Sequence, residues 1–433
     1  MKDLSNISVC VCDYGYFLSI AQKFAESAKR VRYWSPTGAE FLSVDKCVIG
    51  TGLPDVIRCD DPFSPEVVAD TDLYVFPDIG MTDIQENLRA AGKAVWGSFG
   101  ATDLEIYRTK FLSWVKALDL PYSPYLPVYG LADLRKLLAR VNNKWIKVDR
   151  YRAEMETWFH QDLLHSEAKL NDLAKRFGPE RPTFIVQDVI DTKIEVGYDG
   201  WAVDGKYPNS TYQGYEGKNE IYLGAMTKYE ALPQAVRDIN EAISPTLRDY
   251  GYRNNIATEI RVLDGQPYYI DPTMRMPGQT GEQLLETCSN FCDVVWHGAN
   301  GEVLSPTWNF KFAASATIHN NECEPDEWKV LQVPKAVSRW TKLAHFCYHN
   351  EAFHFPPCHT AELGVVLACG NTIQEVFRNL KRNVSAFADE PVSFHLEKFF
   401  DLLDDIRAAE RAGMKFSDGT IPTNKEILQY AVE

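Results

Sequence analysis

The sequence has no uninterrupted apolar run of 18 residues and no excess of basic residues. A membrane-spanning helix needs an apolar run of about that length, so we expect no transmembrane segment. The first residues, MKDLSNISVCVCDYG, include acidic and polar side chains and no long apolar core, so we expect no signal peptide either. The formal net charge is -15, which argues against a broad nucleic-acid-binding surface.

Three sequence motifs are also missing. The dinucleotide fingerprint G-x-G-x-x-G does not follow the strand-like stretch NISVCVCDYG. Its absence argues against a dinucleotide-binding oxidoreductase, the weakest of the functional alternatives. The nucleophile elbow G-x-S-x-G and the phosphate-binding loop G-x-x-x-x-G-K-[ST] are absent as well, which argues against serine hydrolases and P-loop kinases.

The residues that are present predict a multidomain protein of the α/β and α+β classes. A chain of 433 residues is too long for one ordinary core. Residues 1–103 alternate short apolar runs with amphipathic segments, which is typical of a Rossmann-like parallel sheet. Residues 104–300 form the predicted central domain, with a small lobe inserted at about 125–190. Residues 301–433 form a C-terminal α+β domain, in which ELGVVLACGNTIQEVFRNL predicts a strand, a cap at Asn371-Thr372 and a helix.

Cysteine and histidine are distributed unevenly. The ten cysteines follow no compact framework, which favours buried free thiols in a reducing cytoplasm. Four of the nine histidines lie in the segment LAHFCYHNEAFHFPPCH. Its zinc-binding residue types match no common zinc-finger spacing and alternate with aromatic residues, so packing is favoured over a zinc site. These residues are His345, Cys347, His349, His354, Cys358 and His359.

The stretch EIRVLDGQPYYIDPTMRMPG predicts a β-hairpin that carries two carboxylates. Side chains alternate between the faces of a strand, so pairing through the DGQP turn brings Glu259 and Asp271 together. Two close carboxylates repel unless a cation lies between them, and Mg²⁺ favours carboxylates together with phosphate oxygens. Arg275 follows shortly after and is suited to bind a phosphate or a carboxylate. The alternative is an exposed hairpin whose charges are solvated.

At this hairpin the sequence resembles the ATP-grasp superfamily, and within it the phosphoribosylamine–glycine ligases. The resemblance implies an ATP-grasp fold behind a Rossmann-like domain, with ATP and Mg²⁺ (or Mn²⁺) bound. It implies that Glu259, Asp271 and Thr273 hold the metal, although relatives carry Asn where Thr273 stands. Arg275 would contact the phosphoryl group during transfer.

Upstream segments extend the resemblance to the nucleotide. It implies that Lys110 in LEIYRTKF is the first nucleotide-binding cation, with Arg108 as a second candidate, and that Lys147 in KWIKVD binds the α- and β-phosphates. In the hinge segment QDVIDTKIEV, Glu195 stands seven positions after Asp188 and would bind the ribose. Gln187, Val189 and Ile190 would line the adenine pocket, and Asp188, the first acid of the hinge, would also belong to the nucleotide-binding residues.

Two further segments concern the lid and the substrates. In GYEGKNEIYLGAMTK, Lys218 and Gly224 either face an acyl phosphate or acceptor, with Lys218 catalytic, or form a plain surface turn. Relatives follow the lobe lysine with a glycine-rich lid, whereas VDRYRAEMETWFHQD contains no glycine. Arg150, Arg152 and Trp158 are the candidates to cover the nucleotide instead.

The resemblance implies an ATP-dependent carboxylate–amine ligase that works through an acyl phosphate and releases ADP and phosphate. Its partners would be a small-molecule carboxylate and an amine in the cytoplasm. The segment RMPGQTGEQ departs from the glycine ligases, so their substrates do not carry over. The glycine-free lid and Thr273 favour an alternative, a catalytically weak ATP-binding or regulatory protein on the same fold.

Overall fold

The architecture is that of a computed structural model of the chain. It describes residues 3–36, 48–150, 157–178, 181–217, 219–322, 327–357, 359, 361–417 and 419–430. One hydrophobic core joins side chains from Leu4 to Ile427, and a separate core of smaller extent lies between Val128 and Val186. The second core marks a lobe that packs as a unit of its own.

The N-terminal region is a parallel sheet with the strand order β3-β2-β1-β4-β5. Every residue of β1 is buried, as expected for an apolar run with both faces covered. This confirms the predicted Rossmann-like sheet. Its elements are β1 (Ser8–Cys12), α1 (Leu18–Ala25), β2 (Arg30–Trp34), β3 (Val56–Arg58), α2 (Pro65–Asp70), β4 (Leu73–Val75), α3 (Thr82–Ala90) and β5 (Ala94–Trp96).

Two short helices lead into the small lobe, an antiparallel sheet of order β6-β9-β7-β8 with two helices. The helices present leucines inward, Leu134 and Leu138 from one and Leu170 and Leu173 from the other, at the spacing of an amphipathic helix. The elements are α4 (Thr102–Ile106), α5 (Arg108–Ala117), β6 (Tyr125–Tyr129), α6 (Leu131–Leu138), β7 (Lys144–Val148), β8 (Thr157–His160), α7 (Leu163–Phe177) and β9 (Thr183–Asp188).

The rest of the chain builds a large antiparallel sheet of order β14-β13-β10-β11-β12-β15-β20-β17, with β21 beside β15, and a short sheet β16-β19-β18. The strands are β10 (Glu195–Val203), β11 (Ser210–Gly217), β12 (Ile221–Lys228), β13 (Arg253–Leu263), β14 (Gln266–Thr273), β15 (Phe312–Asn320), β16 (Lys329–Leu331), β17 (Thr341–Leu343), β18 (Cys347–His349), β19 (Ala352–Phe355), β20 (Glu362–Gly370) and β21 (Val392–Ser393). The helices are α8 (Gln234–Asp249), α9 (Gly278–Thr287), α10 (Phe291–Ala299), α11 (Ile373–Ser385), α12 (Lys398–Arg411) and α13 (Asn424–Tyr430).

The large sheet runs across the predicted domain limit between residues 300 and 301. Strand β12 pairs with β15, and β15 pairs with β20, so the C-terminal strands share one ladder with the central ones. The strand–cap–helix prediction holds at β20 and α11, where Thr372 Oγ1 accepts a hydrogen bond from the Glu375 amide at 3.1 Å. The exact domain limits stay a prediction.

Two expectations about the whole chain concern the membrane and the cysteines. Among the described residues, no helix combines the length and the apolar character that crossing a bilayer requires. The buried cysteines Cys10, Cys12 and Cys288 form no disulfide, in agreement with the expected free thiols.

Candidate active site

The acidic hairpin forms as predicted, with its two carboxylates directly opposite each other. Glu259 on β13 is the antiparallel partner of Asp271 on β14, which places their Cβ atoms about 5 Å apart. A register shift follows at once, because Ile260 pairs with Tyr269 rather than with Ile270. Such a bulge re-aims neighbouring side chains. The pairing therefore concentrates negative charge on one face of the hairpin.

A third carboxylate joins this pair from the neighbouring strand. Strand β10 pairs with β13, so that Gly197 lies opposite Glu259 and Glu195 lies opposite Arg261. Arg261 Nε lies 3.3 Å from Glu195 Oε2. Burial raises the pKa of Glu259 well above its ordinary value, and repulsion from Glu195 and Asp271 raises it further. A divalent cation would relieve this repulsion, so the donor set fits Mg²⁺.

Lys147 faces the carboxylates from the small lobe. It lies on β7, opposite Ile185 of β9. Burial lowers the pKa of Lys147 and the neighbouring Arg108 lowers it further, whereas Asp271 and Glu259 counteract them. All four side chains thus interact across one cleft. The structure therefore brings the strand lysine near the two acids, and the role of all three toward a nucleotide stays a prediction.

Arg108, rather than Lys110, is the cation of α5 that reaches this cleft. Arg108 Nη1 lies 3.4 Å from Asp271 Oδ1, and its side chain is 10% exposed. Lys110 pairs instead with Asp103, and its side chain is 53% exposed. The preference for Lys110 over Arg108 in the sequence therefore does not match the geometry.

The start of α5 is fixed by Asp149, at the end of the strand that carries Lys147. The Asp149 carboxylate accepts a hydrogen bond from the Thr109 amide at 2.7 Å and one from the Thr109 hydroxyl at 3.1 Å. Carboxylates stabilise the first turn of a helix in this way. Asp149 therefore links the helix that carries Arg108 to the strand that carries Lys147.

Arg275 lies at the junction between the N-terminal sheet and the cleft. Its Nε is 2.9 Å from Glu105 Oε1 and 3.6 Å from Asp78 Oδ1. Burial alone would lower the pKa of Arg275, but Glu105 and Asp78 raise it above its ordinary value. These contacts orient the guanidinium, and sequence reasoning found neither carboxylate.

The predicted hinge residues lie together at the end of β9. The Gln187 side chain is buried and donates to the Ser123 carbonyl at 3.5 Å. Asp188 is the cross-strand neighbour of Lys144 and forms an ion pair with it. Val189 is 41% exposed, while Ile190 accepts a hydrogen bond from the Thr192 amide at 2.8 Å. The hinge thus offers apolar side chains, a feature of nucleotide pockets, and its role in binding adenine stays a prediction.

The remaining predicted residues divide between the site and its surroundings. Thr273 lies opposite Ala257, two places beyond Asp271 on the same strand. Lys218 and Arg152 lie outside the described residues. Trp158 packs against the core of the small lobe, and the Arg150 guanidinium lies 5.4 Å from the centre of the Tyr107 ring. Gly224 packs so closely against the Tyr212 ring that a Cβ atom would overlap it.

The histidine-rich segment packs rather than converging on a metal. His345 is buried and stacks on His359 with ring centroids 4.0 Å apart. His354 Nε2 lies 3.1 Å from the His349 carbonyl oxygen. Within the described ranges, no three candidate ligand atoms of this segment come together, and Cys358 is outside those ranges.

Three other buried ionisable side chains belong to residues that contact the segment following β1. Asp13, Glu282 and His345 come from distant parts of the sequence. Each has a buried polar atom with no hydrogen-bond partner among the described residues, namely Asp13 Oδ1, Glu282 Oε2 and His345 Nδ1. Burial and the nearby Asp78 raise the pKa of Asp13 to about 6. Burial raises the pKa of Glu282 to about 7.

The raised pKa of Glu282 predicts a pH-dependent stability. A carboxyl whose pKa is higher in the folded than in the unfolded protein destabilises the fold as pH rises from about 4.5 to 7. Between pH 5 and pH 8, the unfolding free energy of wild type should therefore fall by about 2 kcal/mol more than that of Glu282→Gln. Urea unfolding at both pH values measures this change, with the exposed Glu241→Gln on α8 as the control. An equal pH dependence in wild type and Glu282→Gln would contradict the prediction.

No protein-family model and no curated protein sequence matches the chain. The fold is similar to that of phosphoribosylamine–glycine ligase from Thermotoga maritima, with a TM-score of 0.64 and 13% identity over 90% of this chain and 98% of that one. The chain has the ATP-grasp fold.

Other ATP-grasp structures agree with this conclusion. L-amino acid ligase from Bacillus licheniformis has a TM-score of 0.57 and 16% identity, over 91% of this chain and 100% of that one. N5-carboxyaminoimidazole synthetase from Staphylococcus aureus, solved with ADP, has a TM-score of 0.57 and 11% identity, over 90% of this chain and 100% of that one. The multidomain ATP-grasp architecture expected from the sequence is thus confirmed.

Proposed function

We propose that the protein is an ATP-dependent ligase that joins a small-molecule carboxylate to an amine. One observation carries the proposal: Glu259 and Asp271 pair on the large sheet, their charges act on Lys147 of the small lobe, and Arg108 of α5 lies 3.4 Å from Asp271. This pairing of an acidic strand face with cations from an opposing lobe suits a metal-bound triphosphate. The ATP-grasp fold of the solved ligases supports it.

Each group has a role that its position supports. Lys147 and Arg108 would neutralise phosphate oxygens, and the hinge at Gln187–Ile190 with Glu195 would hold the nucleoside. Glu259 and Asp271, with Thr273 beside them, would hold Mg²⁺, which when bound shields the negative charge of the phosphates. Arg275, fixed by Glu105 and Asp78, would orient the transferred group.

An amine does not attack a carboxylate directly at a useful rate, because the leaving group would be oxide. Attack of the carboxylate oxygen on the γ-phosphorus of ATP forms an acyl phosphate and ADP. The amine nitrogen then attacks the acyl carbon, its proton is lost to a base, and phosphate leaves with the bonding electrons. The protein contributes positioning and charge neutralisation rather than a covalent nucleophile. Closing the small lobe over the cleft would keep water from the acyl phosphate.

An assay of ADP release distinguishes this activity from nucleotide binding alone. The purified protein with ATP and Mg²⁺ should release little ADP until a carboxylate is added, and hydroxylamine should then trap the acyl group as a hydroxamate. We expect ADP and hydroxamate to form in equal amounts in panels of amino acids and other small acids. A protein that ATP and Mg²⁺ stabilise against heat, yet whose ADP release no acid and amine stimulate, would be the regulatory alternative. Thermal stabilisation of the protein by NAD and not by ATP would contradict both the ligase and the regulatory ATP-binding protein.

A further inference from the structure

Three side chains outside the cleft converge at the ends of the neighbouring strands β12 and β15 in the large sheet. Glu220 lies in the turn between β11 and β12, His319 near the end of β15, and His395 between β21 and α12. One candidate ligand atom from each lies within 4.8 Å of the others. The three residues are separated by about a hundred and then by more than seventy positions in the sequence, so only the sheet brings them together.

The strand register explains why they meet. Ser393 of β21 pairs with His319 of β15, and His395 lies two positions further on, which is the spacing of residues on the same face. On the other side of β15, the Thr317 amide donates to the Glu220 carbonyl at 2.9 Å. His319 lies two positions beyond Thr317. Two neighbouring segments therefore place their side chains on either side of His319.

The contacts between these side chains suit metal ligands. His319 Nε2 lies 2.6 Å from Glu220 Oε2, and the rings of His319 and His395 meet edge to face with centroids 5.1 Å apart. Ligands at about 2.0–2.2 Å around a tetrahedral Zn²⁺ lie roughly 3.3 Å from one another. All three candidate ligand atoms already lie within 4.8 Å of one another, so the group is close to that spacing.

A fourth residue orients one of the ligands. His395 Nδ1 lies 3.2 Å from Glu397 Oε1. When Nδ1 donates its proton to this carboxylate, Nε2 is left unprotonated and available to a metal. A carboxylate that binds the second ring nitrogen of a ligating histidine is the usual arrangement around zinc. The group thus has both a set of ligands and a partner that fixes a tautomer.

We propose that Glu220, His319 and His395 form a divalent transition-metal site, for which Zn²⁺ fits best. Two imidazoles and one carboxylate, with water as the fourth ligand, match the tetrahedral nitrogen and oxygen coordination of zinc. The ion would fasten the segment before α12 to the turn between β11 and β12. The site is distinct from the Glu259–Asp271 pair and does not depend on the ligase activity.

The test is Zn²⁺ binding by the full-length protein after treatment with a chelator. Titration calorimetry should show a site whose dissociation constant weakens by about 10–100-fold in Glu397→Gln and by more than that in His395→Ala. Co²⁺ in place of Zn²⁺ should give the visible absorption of a tetrahedral site in wild type and lose it in His395→Ala. Because His395 is 46% exposed, its replacement should leave the circular dichroism spectrum unchanged.

The matched control is the double variant His349→Ala/His354→Ala. These two histidines also lie close together, with ring centroids 6.1 Å apart, but they belong to no described three-ligand group. This control should keep wild-type Zn²⁺ affinity. The proposal is overturned if wild type shows no site, if His395→Ala binds as wild type does, or if the control variant loses the site instead.

Discussion

Glu259→Gln and Asp271→Asn are each expected to lower ATP turnover by at least about 100-fold, the effect of losing one electrostatic contact to the transition state. Each change removes a negative charge from the pair that would hold the metal and keeps the size of the side chain. The raised pKa of Glu259 shows that its charge is unfavourable without a cation. The melting temperature of Glu259→Gln without nucleotide should therefore equal or exceed that of wild type.

Coupled measurement of ADP release, together with thermal unfolding, checks this result. Asp264→Asn is the matched control, because it makes the same chemical change at the turn of the same hairpin, where the side chain is exposed. It should keep turnover within about twofold of wild type, as surface substitutions usually do. Wild-type turnover in both Glu259→Gln and Asp271→Asn would refute the metal assignment.

Arg108→Met is expected to lower kcat/KM for ATP by about 100-fold, whereas Lys110→Met should change it by less than about twofold. Both variants lose one positive charge from α5, and only Arg108 lies beside Asp271. Lys110 pairs with Asp103 on the exposed side, where ion pairs contribute little. Steady-state kinetics with ATP as the varied substrate measures both variants.

This pair of variants distinguishes a nucleotide site that uses Arg108 of α5 from one that uses Lys110. The opposite result, a large loss for Lys110→Met and none for Arg108→Met, would show that the lobes rearrange around ATP more than the structure implies. Lys147→Met, from the facing lobe, should resemble Arg108→Met, because both cations interact with Asp271. Equal losses in all three variants would contradict the assignment of a single cleft.

The sequence was sufficient to predict the hairpin and its position. Alternating side chains and the DGQP turn determine that Glu259 and Asp271 share a face, and the structure pairs them directly. The bulge at Glu259/Ile260 was not predictable, because a register shift depends on tertiary packing and not on the local pattern. The charge of Glu195, which adds to that face, comes from a strand more than sixty positions away.

The sequence pattern could not predict whether Arg108 or Lys110 faces the cleft. Successive residues of an α-helix are about 100° apart, so residues two positions apart point in nearly opposite directions. The segment LEIYRTKF by itself therefore cannot decide which of the two side chains faces the cleft. Asp149 decides it by anchoring the first turn of α5. The burial of Asp13, Glu282 and His345 was equally unpredictable, because each belongs to a separate segment of the chain.

The hydrogen-bonded sheet from β14 to β17 determines which truncated forms of the protein can fold. A stop codon after residue 300 would keep the acidic hairpin but strip β12 of its neighbour β15. The unpaired backbone N–H and C=O groups of β12 would then be free to pair with strands of other chains. We expect such a fragment to collect in inclusion bodies, so a minimal catalytic unit would have to retain the strands encoded near the 3′ end.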